Sequence, residues 1–351
     1  MRGICRLGVL GAFLFGLLPA LAGGANAAGE PPAAEPVSAA EVQERVQALA
    51  RANAAVVGVH TIAVDDARSI DNLGRERRGT GVVIGEDGLV VTIGYLILEA
   101  DRVELVLEPE RIVPARVVAY DLASGFGLLQ ALTPLRLPPA QLGNSSAVNS
   151  DDPLMIASGG EDADLSLARM VSRRPFSGYW EYHIEGALFT TPPRTDHSGA
   201  ALFNANGELL GIGSLIVMDA LGPGHPRLPG NMFVPIDLLK AILPELRERG
   251  ASRSSSRAWL GLNCVEVEGT VRVVRTAAEG PAEAAGLLPG DRIVRIDGVA
   301  VADLAAFYQA LWRGDRPERE VRLLVERAGV EQTVTVQSED RMKTLRRPKG
   351  I

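Results

Sequence analysis

Ser198 is the residue best placed by type and context to do covalent chemistry. It lies in Asp196-His197-Ser198-Gly199-Ala200-Ala201-Leu202, directly ahead of FNANGELLGIGS. A serine followed by glycine on a tight turn, then by a hairpin, suits a nucleophile flanked by backbone N–H groups that stabilise an oxyanion. Such a serine needs a neighbour to take its proton, and histidine is the usual one. The chain has four histidines. His197 adjoins Ser198, and consecutive side chains diverge. His60 alternates within VVGVHTIAV and reads as a strand residue. His183, in YWEYHIEG, reads as a satisfied structural histidine, and His225, in GPGHPRLPG, as a solvated loop residue. Asp121, Asp151 and Asp152 are candidate carboxylate bases, although Asp in such loops more often caps a turn. The plain alternative for Ser198 is a turn serine with no chemical role.

The elements that would position these residues are mostly strands. Runs such as AAVVGVHTIAV, TGVVIGEDGLVVT, RIVPARVVAY and AALFNANGELLGIGSLIV fill residues 54 to about 232 of a unit spanning 54–250, broken by Gly, Asp and Asn. Asp87-Gly88 and Asn206-Gly207 each separate two apolar runs, a strong hairpin signal. Many short antiparallel strands predict a barrel or sandwich. Before them, residues 28–53 form a Pro/Ala-rich lead-in and a helix from Ser38 to Asn53, with Ser38 and Glu41 spaced as a capping box. After them, Asp237 is expected to cap a helix, LLKAILPELRERG. Residues 251–257 read as a polar linker, 258–337 as a second compact unit and 338–351 as a basic, disordered tail. No internal repeat is visible.

The 351 residues carry 36 Lys+Arg against 43 Asp+Glu, a formal charge of −7. This argues against general nucleic-acid binding, which needs a basic face. Four histidines and two cysteines leave little for a structural zinc site, so no metal or other cofactor is expected. Arg2 and Arg6 precede the apolar run LGVLGAFLFGLLPALAG and Ala25-Asn26-Ala27, which reads as a signal peptide over 1–27. The alternative is an uncleaved anchor. Cleavage would lower the charge to −9, leave Cys264 as the lone thiol, and leave no stable membrane span. An exported chain results, with the periplasm as its address in a Gram-negative host and secretion as the alternative.

Several segments together resemble the HtrA/Deg family of trypsin-like serine proteases. These are DHSGAAL, set against the family's Gly-Asn-Ser-Gly-Gly-Pro-Leu, and, in order, GTGVVIGEDGLVVT, ADRVELVLEPERIVPARVVAYD, LGNSSAV and NMFVPIDLLKAIL. Residues 280–287, GPAEAAGL, with 289–293, PGDRI, resemble the bacterial PDZ signature. The likeness covers about residues 38–340. It implies a mainly β fold, a trypsin-like double β-barrel followed by an α+β PDZ domain. It puts Ser198 at the nucleophile, with the backbone of Asp196 and Ser198 as oxyanion donors. The family's histidine falls at Tyr95, in Thr92-Ile93-Gly94-Tyr95-Leu96-Ile97, and its aspartate at Gly125.

Two of three catalytic positions are therefore replaced. A phenol with an ordinary pKa of ~10 is a poor base at neutral pH, and Gly125 orients nothing. An oxyanion hole alone gives roughly 10³–10⁴-fold over water. The preferred expectation is a pseudoprotease that binds peptides or protein C-termini, with unfolded proteins or active protease relatives as further partners. The alternative is an active endopeptidase using Ser198 with an unrecognised base. In the PDZ unit, β-augmentation would place a ligand carboxylate on the amides of Leu260, Gly261 and Leu262. Leu304, Phe307 and Leu311, at helical spacing, would line a side-chain pocket or close the core. Family trimers are held by aromatic residues near the N-terminus. Residues 28–60 here have none, so the oligomeric state stays open.

Overall fold

The structure, a computed structural model, describes residues 38–346 except 109, 110, 151 and 315. The expected signal peptide, the lead-in through residue 37 and the last five residues lie outside the described residues. Helix α1 (Ala39–Ala54) begins at the capping box: Glu41 N donates to Ser38 Oγ at 3.2 Å, and Ser38 N donates to the Glu41 carboxylate at 2.8 Å. Its Leu49 and Ala52 are buried.

Two closed barrels follow. The first contains β1 (Val56–Ala63), β2 (Glu76–Val83), β3 (Leu89–Ile93), β4 (Ala100–Glu108), β5 (Arg111–Tyr120) and β6 (Phe126–Ala131), in the order β1-β2-β3-β6-β5-β4. A short helix, α2 (Ile70–Leu73), lies between β1 and β2. The second barrel contains β7 (Leu154–Ala157), β8 (Leu165–Gly178), β9 (Tyr182–Thr191), β10 (Ala201–Asn204), β11 (Leu209–Val217) and β12 (Gly230–Pro235), in the order β7-β8-β9-β12-β11-β10. The order is the same in both. This repeat of topology is absent from the sequence pattern, because only the backbone path recurs. The hairpin turns β2–β3 and β10–β11 pass through Gly88 (φ 81°) and Gly207 (φ 74°), as Asp-Gly and Asn-Gly predict. One hydrophobic core runs through both barrels, with Phe126, Phe189 and Phe203 fully buried.

Helix α3 (Ile236–Arg249) leaves β12 with Pro235 at its N-cap, not Asp237. The fixed φ of proline starts the helix early. Asp237 instead accepts from Ser145 Oγ (2.7 Å) and Ser146 N (2.9 Å). The serine-rich stretch that follows is docked rather than a free linker. Asp121, fully buried, accepts from the hydroxyls of Ser252 and Ser255 on one oxygen and from Ser124 N and Oγ on the other.

The C-terminal unit comprises β13 (Ala258–Trp259), β14 (Leu262–Val267), β15 (Thr270–Thr276), α4 (Pro281–Ala284), β16 (Arg292–Ile296), β17 (Val299–Ala300), α5 (Leu304–Leu311), β18 (Glu320–Arg327), β19 (Val330–Gln337), β20 (Glu339–Asp340) and α6 (Arg341–Thr344). Its main sheet runs β14-β15-β16-β18-β19. The signature turn is pinned by Asp291, whose buried carboxylate takes both Nε and Nη2 of Arg327 at 2.7 Å. The basic segment through residue 346 is ordered, contrary to expectation. β20 pairs with β13, Asp340 caps α6, and Arg346 N donates to Glu99 Oε1 at 2.8 Å. Of its basic side chains, Arg341 Nη1 donates to Trp180 O at 3.0 Å and Lys343 Nζ to Glu318 Oε1 at 2.7 Å. Among the described residues no helix is long and apolar enough to cross a membrane.

Candidate active site and peptide groove

Ser198 sits, half-buried, where the second barrel meets the first. Thr80 N on β2 donates to Ser198 O at 2.9 Å, and Gly199 N donates to Gly213 O at 2.8 Å. Gly199 has φ 76°, and a Cβ there would lie 2.0 Å from Thr80 O. Only glycine fits this approach.

Tyr95 lies in the single turn after β3, and its hydroxyl is 2.8 Å from both Ser198 Oγ and Ser214 O. The Ser214 carbonyl can only accept, so the phenol proton goes there, and the Ser198 hydroxyl donates to Tyr95 Oη. Ser198 thus gives its hydrogen to a neutral phenol, which does not remove it. Burial pushes the Tyr95 phenol up to about 12, although the bond with Ser198 pulls the other way. Tyr95 and Ser198 are thus in direct contact, and the bond between them is the reverse of an activating one.

Gly125 abuts this turn, its carbonyl accepting from Gly94 N at 2.6 Å. It has φ 80°, and a Cβ there would lie 2.7 Å from Tyr182 Oη. Tyr182 is buried and donates to Ser124 O at 2.8 Å. The space that a side chain at Gly125 would enter is therefore filled by a phenol from the second barrel.

Asp196 has no left-handed φ and does not aim its charge at Ser198. Its carboxylate takes Arg194 Nε at 2.9 Å, with further bonds from Arg194 Nη2 and Ser158 Oγ. Burial opposes its ionisation, but these bonds outweigh burial and hold its carboxyl below the usual range. The Ser198 amide has no acceptor among the described residues. The four histidines serve elsewhere. His197 Nδ1 meets Arg194 O at 3.3 Å, His60 meets Glu76, His183 meets Ser177 and Glu185, and His225 is exposed. Asp121 caps its own turn and the serine stretch, Asp152 accepts from Asn149 N at 2.7 Å, and Asp151 lies outside the described residues.

In the C-terminal unit, Leu260 N and Leu262 N both point at one group, Glu181 Oε1, at 3.0 and 3.3 Å. Glu181 belongs to the turn joining β8 and β9. In the same turn, Tyr179 O accepts from Cys264 N on β14 at 2.9 Å. Gly261, between the two leucines, has φ 75°. Leu304, Phe307 and Leu311 are buried in the unit's core. The α5 residue whose side chain reaches the turn is Tyr308: its hydroxyl donates to Gly178 O (2.7 Å) and accepts from Glu181 N (3.1 Å). Sequence reasoning missed Tyr182, Arg194, Glu181 and Tyr308. The signals were faint: an Arg two residues before Asp196, and a lone acid inside the aromatic run YWEYH.

With this geometry in view, residues 79–212 match the trypsin-like peptidase domain and 258–337 the PDZ domain. A putative protease Do-like 14 of Arabidopsis thaliana is 28% identical over 288 residues, covering 72% of this chain and 62% of the relative. A probable periplasmic serine endoprotease DegP-like of Pseudomonas fulva is 27% identical over 284 residues, covering 75% and 57%. The chain thus spans about 57–62% of the length of these curated relatives. Among solved structures, the HtrA-type protease AlgW with decapeptide superposes with a TM-score of 0.53 at 22% identity, covering 85% of this chain and 98% of that one. A serine endoprotease from Yersinia pestis superposes with a TM-score of 0.52 at 21% identity, covering 84% and 97%.

Proposed function

Because the chain belongs to the HtrA/Deg family of trypsin-like serine proteases with a C-terminal PDZ domain, we propose that it is an exported member without useful proteolysis. Its function is to bind peptides or protein C-termini through the PDZ domain. The observation that carries this reading is Tyr95 Oη between Ser198 Oγ and Ser214 O, 2.8 Å from each. With a phenol near 12, only about one molecule in 10⁵ holds a phenolate at pH 7. Peptide binding is supported by the PDZ match and by the peptide named with the AlgW structure. The signal-like leader and the relatives named periplasmic support the periplasm.

The competing reading keeps Ser198 as a working nucleophile, and its unengaged amide favours that reading. Purified mature protein incubated with a fluorophosphonate probe and with labelled casein decides between them. The expected result is neither Ser198 labelling nor turnover above a Ser198→Ala control. Ser198-dependent turnover within a few hundred-fold of a relative with an intact triad refutes the proposal.

A further inference from the structure

We infer that residues Tyr179–Glu181 of the β8–β9 turn are an internal ligand of the PDZ groove, so that a partner's C-terminal carboxylate enters only as this turn leaves. The inference rests on the peptide-binding reading above and names what that binding must displace.

The contacts are those of an added strand. A bound C-terminus pairs its main chain with the sheet edge and sets its carboxylate on the amides of the preceding loop. Here Cys264 N donates to Tyr179 O at 2.9 Å, and two residues along each chain Leu262 N meets Glu181 Oε1 at 3.3 Å. The matched step from 264 to 262 and from 179 to 181 is antiparallel register, with Glu181 in the terminal position. Leu260 N adds the second donor at 3.0 Å. The chain does not end at Glu181, so its side-chain carboxylate stands in for a terminal one. Its backbone turns away at φ 58°, a left-handed value that a residue with a Cβ holds only when its surroundings impose it.

Both walls of the groove engage the turn. On the helix side, Tyr308 bonds Gly178 O and Glu181 N while its ring stacks on Trp312 at 5.1 Å. From α6, Arg341 Nη1 donates to Trp180 O at 3.0 Å. The fit is nevertheless incomplete. Glu181 is 5% exposed, yet its Oε2 has no hydrogen-bond partner among the described residues. A buried carboxylate with an unsatisfied oxygen is poorly compensated. Burial pushes the carboxyl up to about 7, against the pull of Arg341 and of the Leu262, Leu260 and Gly261 amides. An occupant held this way blocks a site and remains displaceable.

The test uses the full chain and a fluorescein-labelled decapeptide ending in Tyr-Trp-Leu, with a free or an amidated C-terminus. Glu181→Gly deletes the carboxylate and suits the left-handed backbone, and Tyr308→Phe removes both hydroxyl bonds but keeps the ring. Each variant is expected to bind the free-acid peptide about 10- to 100-fold more tightly than the parent, the worth of one charge-assisted hydrogen bond. The amidated peptide should bind weakly throughout. Without peptide, amide hydrogen exchange at 260–264 should be faster in both variants. Equal affinity in parent and variants, or unchanged exchange, overturns the internal ligand. Faster exchange with no peptide bound by any of the three proteins upholds the occupancy and refutes the peptide-binding reading instead.

Discussion

On the proposed reading of Tyr95 and Gly125 as the base and orienter positions, placing histidine at 95 and aspartate at 125 should not make a protease. In Tyr95→His, an imidazole replaces a phenol whose conversion to phenolate at pH 7 costs about 7 kcal/mol, five pKa units at 1.36 each. The imidazole ends nearer the backbone than the phenol oxygen that now touches Ser198, so the contact itself is lost. Without an orienting carboxylate a catalytic histidine loses about 10⁴ in kcat. Supplying one through Gly125→Asp meets two obstacles. The position has φ 80°, which costs about 1–3 kcal/mol for a residue with a side chain. The new Cβ would lie 2.7 Å from Tyr182 Oη, and overpacking costs a further ~1–3 kcal/mol. Tyr182 cannot simply swing aside, because it is buried, bonded to Ser124 O and stacked on Trp180 at 5.7 Å.

The expected outcome is casein turnover by Tyr95→His at most about 10⁻⁴ of a relative with an intact triad. The double variant should show no gain and an apparent melting point lower by several degrees. Circular dichroism melts and a labelled-casein assay on the same samples read both effects. A double variant that melts like the parent and cleaves casein within about 100-fold of that relative refutes the reasoning, because the geometry at Gly125 then imposes no barrier.

Two further perturbations address the joints between units. Asp121→Ala strips the acceptor from the hydroxyls of Ser124, Ser252 and Ser255 and should cost about 3 kcal/mol or more; an unchanged denaturation midpoint counts against it. Glu181, raised from 4.5 to about 7, stabilises the docked turn fully below about 4.5, and that contribution fades as pH rises through about 7, by up to about 3 kcal/mol. Of the groups facing it, burial pushes the Tyr308 hydroxyl and the Cys264 thiol up and holds both protonated over that window, and the Arg341 guanidinium lies against the same turn, donating to Trp180 O. Glu181→Gln should therefore gain stability relative to the parent between pH 5 and 8 in urea titrations, and a constant difference sinks the assignment.

What the residues disclose on their own depends on how far apart the interacting groups lie. Asp87-Gly88 and Asn206-Gly207 announce their turns because a positive φ is a local demand. Ser38 and Glu41 announce a helix start for the same reason. Asp237 misleads because Pro235, two residues earlier, sets the helix first. The closeness of Tyr95 to Ser198 was legible only through family resemblance, since 103 positions separate them. Tyr182 over Gly125 has no local trace at all. On α5, the apolar period of Leu304, Phe307 and Leu311 marks the face that fills the core. The groove belongs to Tyr308, which that period passes over. Glu181 reads as one acid among aromatics until the fold carries it against the Leu260–Leu262 loop.

The Ser198-Gly199 pair has a structural role that does not need the hydroxyl. Thr80 is held by three groups, two of them from across the barrel junction: its N–H donates to Ser198 O and its hydroxyl accepts from Gly159 N at 3.0 Å, while its carbonyl accepts from Thr92 Oγ1 on the neighbouring strand β3 at 2.6 Å. Gly199 passes over that carbonyl at a distance no side chain tolerates. Ser198→Ala removes one hydroxyl contact, and Tyr95 keeps its bond to Ser214 O, so the cost should stay near 1 kcal/mol. Gly199→Ala puts a methyl 2.0 Å from Thr80 O, a backbone atom that moves only with β2, and should cost more than about 3 kcal/mol. Denaturant midpoints for the two variants give the ranking. If Ser198→Ala proves the more damaging, the hydroxyl is a structural group and Tyr95 is its partner rather than its stopper. If Gly199→Ala does, the segment serves as the joint between the barrels, and that joint holds whatever residues stand at 95 and 125.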